Sequence, residues 1–90
     1  MKKAIITVVG QDTVGIIAKI CTYLAEEKIN ILDISQTIVS GYFNMMMIVD
    51  LSGCSENFEK IADSLEKTGT QIGVIVKCQR EDIFDSMHRI

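Results

Sequence analysis

The segment of this 90-residue chain best equipped to meet a small molecule is Gly10-Gln11-Asp12-Thr13-Val14-Gly15. Its two glycines let the backbone turn sharply and come close to a ligand, and Asp12 can accept hydrogen bonds from the unsatisfied N–H groups that open a following helix. A helix N-terminus also carries partial positive charge. A carboxylate or phosphate would find donors and a favourable field there without any catalytic side chain. The spacing Gly10-x-x-x-x-Gly15 matches that of a nucleotide phosphate loop, but Ile16-Ile17 stands where lysine and a hydroxyl residue would hold phosphate and magnesium. Nucleotide hydrolysis is therefore not supported. The plainer reading of the segment is a strand-to-helix turn with an aspartate cap.

The other reactive side chains do not assemble into a catalytic set. His88 is the single histidine and has no cysteine or carboxylate cluster beside it, so it reads as a surface residue. Asp12 and Asp33 are two carboxylates that could meet at one end of a sheet for acid–base work, yet no histidine or convergent motif joins them. Met45-Met46-Met47 offers thioether sulfurs, but neighbours in a strand point to opposite faces and cannot converge on one ion. Core packing accounts for them better. Cys21, Cys54 and Cys78 are odd in number and widely spaced, against both a disulfide framework and a zinc site. Cys21 and Cys78 read as small hydrophobes, and Cys54 as a loop thiol open to oxidation. The expectation is no catalytic residue, no metal and no cofactor.

The net charge of −3, with lysines scattered from Lys2 to Lys77, leaves no basic stripe for a nucleic acid. The apolar run after Met1-Lys2-Lys3 ends at Gly10, too short for a secretory core or a membrane span. No membrane partner is expected, and the cysteine usage suits a reducing cytoplasm. Apolar residues make up 48% of the chain, more than one thin core needs, which points to a dimer.

These groups must be positioned by short elements. Lys3 to Val9 is a β-branched run bounded by Gly10 and reads as a strand apolar on both faces. From about Val14 to Lys28, Ile17, Ile20, Cys21 and Leu24 recur at helical spacing, with Lys19, Glu26, Glu27 and Lys28 toward water. Asn30 to Val39 alternates as a half-exposed edge strand, Ser40-Gly41 makes a hairpin turn, and Tyr42 to Leu51 returns centrally. A second helix has Ser55 as its N-cap, Phe58, Ile61, Ala62 and Leu65 as its inward stripe, and Gly69 as its C′ residue. Gln71 to Gln79 gives a fourth strand. The order β-α-β-β-α-β predicts a ferredoxin-like α+β sandwich, with an antiparallel sheet of spatial order 4-1-3-2 and both helices on one face. The chain reads as a single domain over 1–90: a core over 3–79 and a tail over 80–90. An extra C-terminal helix is expected there, presenting Ile83, Phe84 and Met87 to the other sheet face or to a second subunit.

Several functions share this topology and are separated by side chains. RNA-recognition modules stack bases on aromatics of the central strands, where this chain has Ile, Val and Met. A metallochaperone needs paired cysteines in the first loop, and an acylphosphatase-like enzyme needs an arginine there. Neither is present.

Val8-Val9-Gly10, then Gln11-Asp12-Thr13-Val14-Gly15-Ile16-Ile17-Ala18, and Asn30-Ile31 at the opening of the second strand, resemble the ACT domain over about Lys3 to Gln79. That family consists of small regulatory modules that sense amino acids and related metabolites. As a freestanding domain, the chain is similar to single-domain members related to the glycine cleavage system repressor. The resemblance implies a ligand held between two side-by-side subunits, by the first loop of one and the start of strand two of the other. It nominates Gln11, Asp12, Thr13, Val14 and Gly15 on one side, and Asn30 and Ile31 on the other. Many such loops carry proline before the glycine, where this chain has Val14. The function expected is a non-catalytic homodimer that binds an amino acid or similar carboxylate, its output passing through assembly or a separate protein. The alternative is an interaction module of the same fold without a small-molecule ligand.

Overall fold

Alternation along the strands decides which side of the sheet is covered. In the computed structural model, which describes residues 2–11 and 15–81, six elements follow one another. They are β1 (Lys3–Gln11), α1 (Ile16–Glu26), β2 (Asn30–Val39), β3 (Tyr42–Asp50), α2 (Phe58–Ile72) and β4 (Val74–Arg80). The strands make one antiparallel sheet of order β2-β3-β1-β4, which is the expected order read from the other edge. Ala4, Ile6 and Val8 of β1 join Phe43, Met45, Met47 and Val49 of β3, and Val74 and Val76 of β4, as the sheet side of the core. Ile16, Ile20 and Leu24 of α1 and Ile61 and Leu65 of α2 close over them, so both helices cover one face.

The other face is mixed rather than apolar. Strand alternation places Lys3, Thr7 and Gln11 there beside Ile5 and Val9, and Asn44 and Asp50 beside Met46 and Ile48. The expectation that the first strand is apolar on both faces is corrected to this extent. Residues 82–90 lie outside the described residues, and with them Ile83, Phe84, Met87 and His88 of the expected helical tail. Arg80 itself still belongs to β4.

Several boundaries differ from the sequence reading for local steric reasons. The first strand runs through Gly10 to Gln11, because Gly10 pairs with both Phe43 and Val74, and a Cβ there would lie 2.7 Å from Val74 Cγ1. The stripe of α1 is Ile16, Ile20 and Leu24, while Ile17 and Cys21 are partly exposed. The N-cap of α2 is Asn57, whose side chain accepts from the Lys60 N–H at 2.8 Å, rather than Ser55. That helix also passes through Gly69 and ends at Gly73, which takes the left-handed conformation at φ 80. β4 therefore starts at Val74 rather than Gln71.

The turn between β2 and β3 is as expected: Ser40 and Gly41 both have positive φ, 52° and 81°. This is the backbone twist that two-residue hairpins favour. β2 is an edge strand, as β4 is on the other side, and a register shift between Ile31 and Asp33 marks a bulge at Leu32.

Candidate functional site

Gly15 is the residue at which α1 opens. It is the N-cap, at φ 93° and ψ 0°, a conformation that disfavours any residue with a Cβ, and a Cβ built there meets nothing within 4 Å. It contributes no side-chain cap, and no acidic residue occupies the first turn. Among the described residues, nothing lies beside Gly15 and its position supplies no side-chain partner to the first-turn N–H groups. The N-cap position belongs to Gly15 rather than Asp12, and the expectation that the Asp12 carboxylate accepts from the opening N–H groups falls on a residue outside the described ones. Asp12, Thr13 and Val14 themselves lie outside the described residues.

Asn30 and Ile31 stand elsewhere. Asn30 pairs with Asp50 at the end of the sheet where β1 begins, whereas Gln11 pairs with Tyr42 at the other end. Those partners are the two ends of β3, eight residue steps apart, roughly 27 Å of extended chain. Within one copy Gln11 therefore cannot touch the same small molecule as Asn30 and Ile31. Asp33, opposite Ile48, also lies toward the Asn30 end. Its carboxylate accepts from the Ile34 N–H at 2.9 Å, a local turn contact rather than half of an acid–base pair with the Gly15 end.

The sequence reading missed a groove between the helices. A cavity of about 510 Å³ runs from Gly15 along α1 past Lys19 and Tyr23 to Glu26, with Thr68 and Gln71 of α2 as its other wall. Its signal in the sequence is the pair of small residues Ala18 and Thr22 on the flank of α1. Burial pushes the Tyr23 phenol up, against a hydrogen bond with Ser64 that lowers it.

The remaining candidates are structural. Met45 and Met47 are buried while Met46 is 41% exposed on the opposite face, so the three sulfurs do not converge. Cys78 packs against the core, and burial pushes its thiol up to about 11. Cys54 packs there too, and Cys21 is partly exposed on α1. Among the described residues no group of three or more His, Cys, Asp or Glu could hold a metal ion. No helix among them is long and apolar enough to cross a membrane.

β2 presents an open edge flanked by apolar side chains. Leu32, Ile34, Ile38 and Val39 are 41%, 44%, 59% and 56% exposed. Ile34 and Ile38 pair with Met47 and Phe43 and so lie on the helix side of the sheet, where the helices do not reach far enough to cover them.

Comparison with known proteins places this geometry. Residues 2–79 match the ACT domain family. A UPF0237 protein of Bifidobacterium longum is 62% identical over 90 residues, covering all of both chains. An ACT domain protein from Streptococcus pneumoniae superposes with a TM-score of 0.82 at 40% identity, covering 97% of this chain and 98% of that one. A structure described as a glycine cleavage system transcriptional repressor shares the fold, with a TM-score of 0.75 at 22% identity over 88% of this chain and 45% of that one. With its four-stranded antiparallel sheet, two helices on one face and glycine-opened first helix, the chain belongs to the ACT domain family.

Proposed function

We propose that this protein is a non-catalytic regulatory module that binds an amino acid or a related small carboxylate between two copies of itself, in the cytoplasm. The placement of Gly15 and Asn30 at opposite ends of the sheet carries this reading. When two β2 edges pair antiparallel across a twofold axis, the start of one strand lies opposite the end of the other. The Gln11–Gly15 end of one copy then comes beside Asn30 and Ile31 of the second. A site that is incomplete in one chain is completed twice in the pair.

The chemistry fits a carboxylate. The opening turn of α1 supplies N–H donors and the positive end of a helix dipole, while Asn30 supplies both a donor and an acceptor for an ammonium or amide group. Ligand binding then biases assembly only as far as the ligand prefers one form over the other.

Calorimetry and thermal shift with the twenty amino acids test this. A ligand at a hundred times its dissociation constant stabilises by about 2.7 kcal/mol. At least one amino acid is expected to bind, and Asn30→Ala, at an exposed position, is expected to weaken that binding tenfold or more while leaving the apo melting temperature unchanged. Absence of binding by any of them at about 10 mM, or full retention in Asn30→Ala and Gly15→Val, overturns the reading.

A second reading is favoured by one observation, the apolar β2 edge itself, which also fits pairing with a strand of another protein. It predicts a complex whose formation is indifferent to small molecules.

A further inference from the structure

The cavity at the foot of the sheet has a composition unlike the rest of the surface. It lies where β1 begins, β4 ends and α2 opens, holds about 340 Å³, and is lined by Lys2, Lys3, Leu51, Phe58 and Arg80. Two of the chain's seven lysines and one of its two arginines thus line one hollow in a protein of net charge −3. Leu51 is 8% exposed and Phe58 is half-buried against the core, so the interior of the hollow is apolar.

We propose that this cavity is a second small-molecule site, distinct from the Gly15–Asn30 arrangement, and that it takes a carboxylate carrying a compact aliphatic or aromatic body. Leu51 and Phe58 receive the body, and Lys2 and Arg80 receive the carboxylate. The cavity's size, at the lower end of the range of small-molecule pockets, suits a compact ligand such as an arylalkanoate.

The local charges separate the roles of the three cations. The Asp50 carboxylate accepts from the Ser52 N–H at 2.9 Å and from its hydroxyl at 2.7 Å, and it faces Lys3, whose charge it offsets. Lys60 and Lys67 are each held 3.2 Å from an acid four residues earlier, Glu56 just ahead of α2 and Asp63 within it. Lys2, in contrast, takes part in no ion pair among the described residues. Its backbone is fixed at both polar groups, with its N–H donating to Ser52 Oγ at 3.2 Å and its carbonyl accepting from the Leu51 N–H at 2.7 Å. Arg80 has five donors and can serve a further acceptor beside its existing contact. The mouth therefore attracts an anion, and the apolar floor selects one with a hydrocarbon body.

NMR titration of the full chain tests this, with 3-phenylpropionate as the probe and acetate and 3-phenylpropanol as controls. The probe is expected to shift the amides of Lys2, Leu51, Phe58 and Arg80 saturably in the low millimolar range. Acetate and the alcohol are each expected to bind at least tenfold more weakly. Lys2→Ala with Arg80→Gln is expected to reduce probe affinity about tenfold, or about 1.4 kcal/mol, while amides distant from the cavity keep their positions. Asn30→Ala is expected to leave this titration unchanged, so its outcome and that of the amino-acid site are read independently. Equal shifts from acetate and the probe, unaltered binding in the double variant, or no saturable shift at these amides overturns the proposal.

Discussion

Gly69 in α2 sits so close to Val76 in β4 that a Cβ added to it would lie 2.5 Å from Val76 Cγ2 and 2.9 Å from the Val74 carbonyl oxygen. The glycine is there for contact between helix and sheet, and the helix accepts its unfavourable propensity in return. Gly69→Ala should gain about 1 kcal/mol of helix propensity and lose more to overpacking, because the Val74 carbonyl belongs to the backbone and cannot swing aside. A net loss of about 1–2 kcal/mol is expected in urea unfolding. A variant as stable as the parent would show that α2 can lift off β4 at little cost.

Lys28 behaves in the opposite sense. It follows α1 at φ 59°, a left-handed position held by a residue with a Cβ, while its N–H donates to the Ala25 carbonyl at 3.1 Å. Lys28→Gly removes that strain and is expected to stabilise the fold by about 1 kcal/mol, less whatever the lysine charge contributes at the helix C-terminus. The denaturation midpoint should rise with an unchanged slope. A fall would mean that the charge outweighs the backbone strain.

Cys78 sets a dependence on alkaline pH. Its thiol ionises at about 11 in the fold, against an ordinary value of 9.0, because burial disfavours the thiolate. Between those values the unfolded chain has lost a proton that the folded chain retains, so stability falls as pH rises from 9 to 11. The loss attributable to this group is on the order of 2 kcal/mol. Tyr23, raised chiefly by burial, acts in the same direction. Cys78→Ala should flatten the decline between pH 9 and 11 relative to the parent, measured by urea midpoints across that range. An identical pH slope in the two proteins would assign the loss to other groups.

The β2 edge tests assembly directly. Ile34 and Ile38 are exposed in the single chain, so Ile34→Lys with Ile38→Lys should change monomer stability by no more than about 0.5 kcal/mol per site. In a dimer joined along β2 the same changes place like charges against each other. Sedimentation velocity should show the dimer dissociation constant rising at least tenfold. A dimer of undiminished affinity would move the interface to another face.

The element order was legible because each segment's apolar period is unambiguous. Ile5 to Val9 is too short and too β-branched to read as an amphipathic helix, whereas Ile17, Ile20, Cys21 and Leu24 recur at i, i+3, i+4 and i+7, the spacing of one helix face and not the alternation of a strand. Ser40-Gly41 gave the hairpin, because few other dipeptides tolerate positive φ at both positions. The choice between Gly69 and Gly73 as the end of α2 was not legible. Either can take the left-handed conformation, and the one that packs on Val76 is distinguished only by where β4 returns. Asn57 and Ser55 are both good caps, and the difference lies in which of them leaves its side-chain oxygen within reach of the Lys60 N–H.

Gly15 and Asn30 could be named from the chain alone, since a glycine before an apolar helix and an asparagine opening a strand are local signals. Their separation by the length of the sheet was not available there, because it depends on the register that pairs Asn30 with Asp50 and Gln11 with Tyr42. The hollow lined by Lys2, Leu51, Phe58 and Arg80 is of the same kind: those residues lie far apart in sequence, and only the antiparallel return of β4 beside β1 brings Arg80 next to Lys2. Local periodicity and turn chemistry determined the elements and their kind, because they depend on neighbours within a few residues. The tertiary structure decided which surfaces those elements share, because strand register and close helix–sheet contact are set by residues distant along the chain.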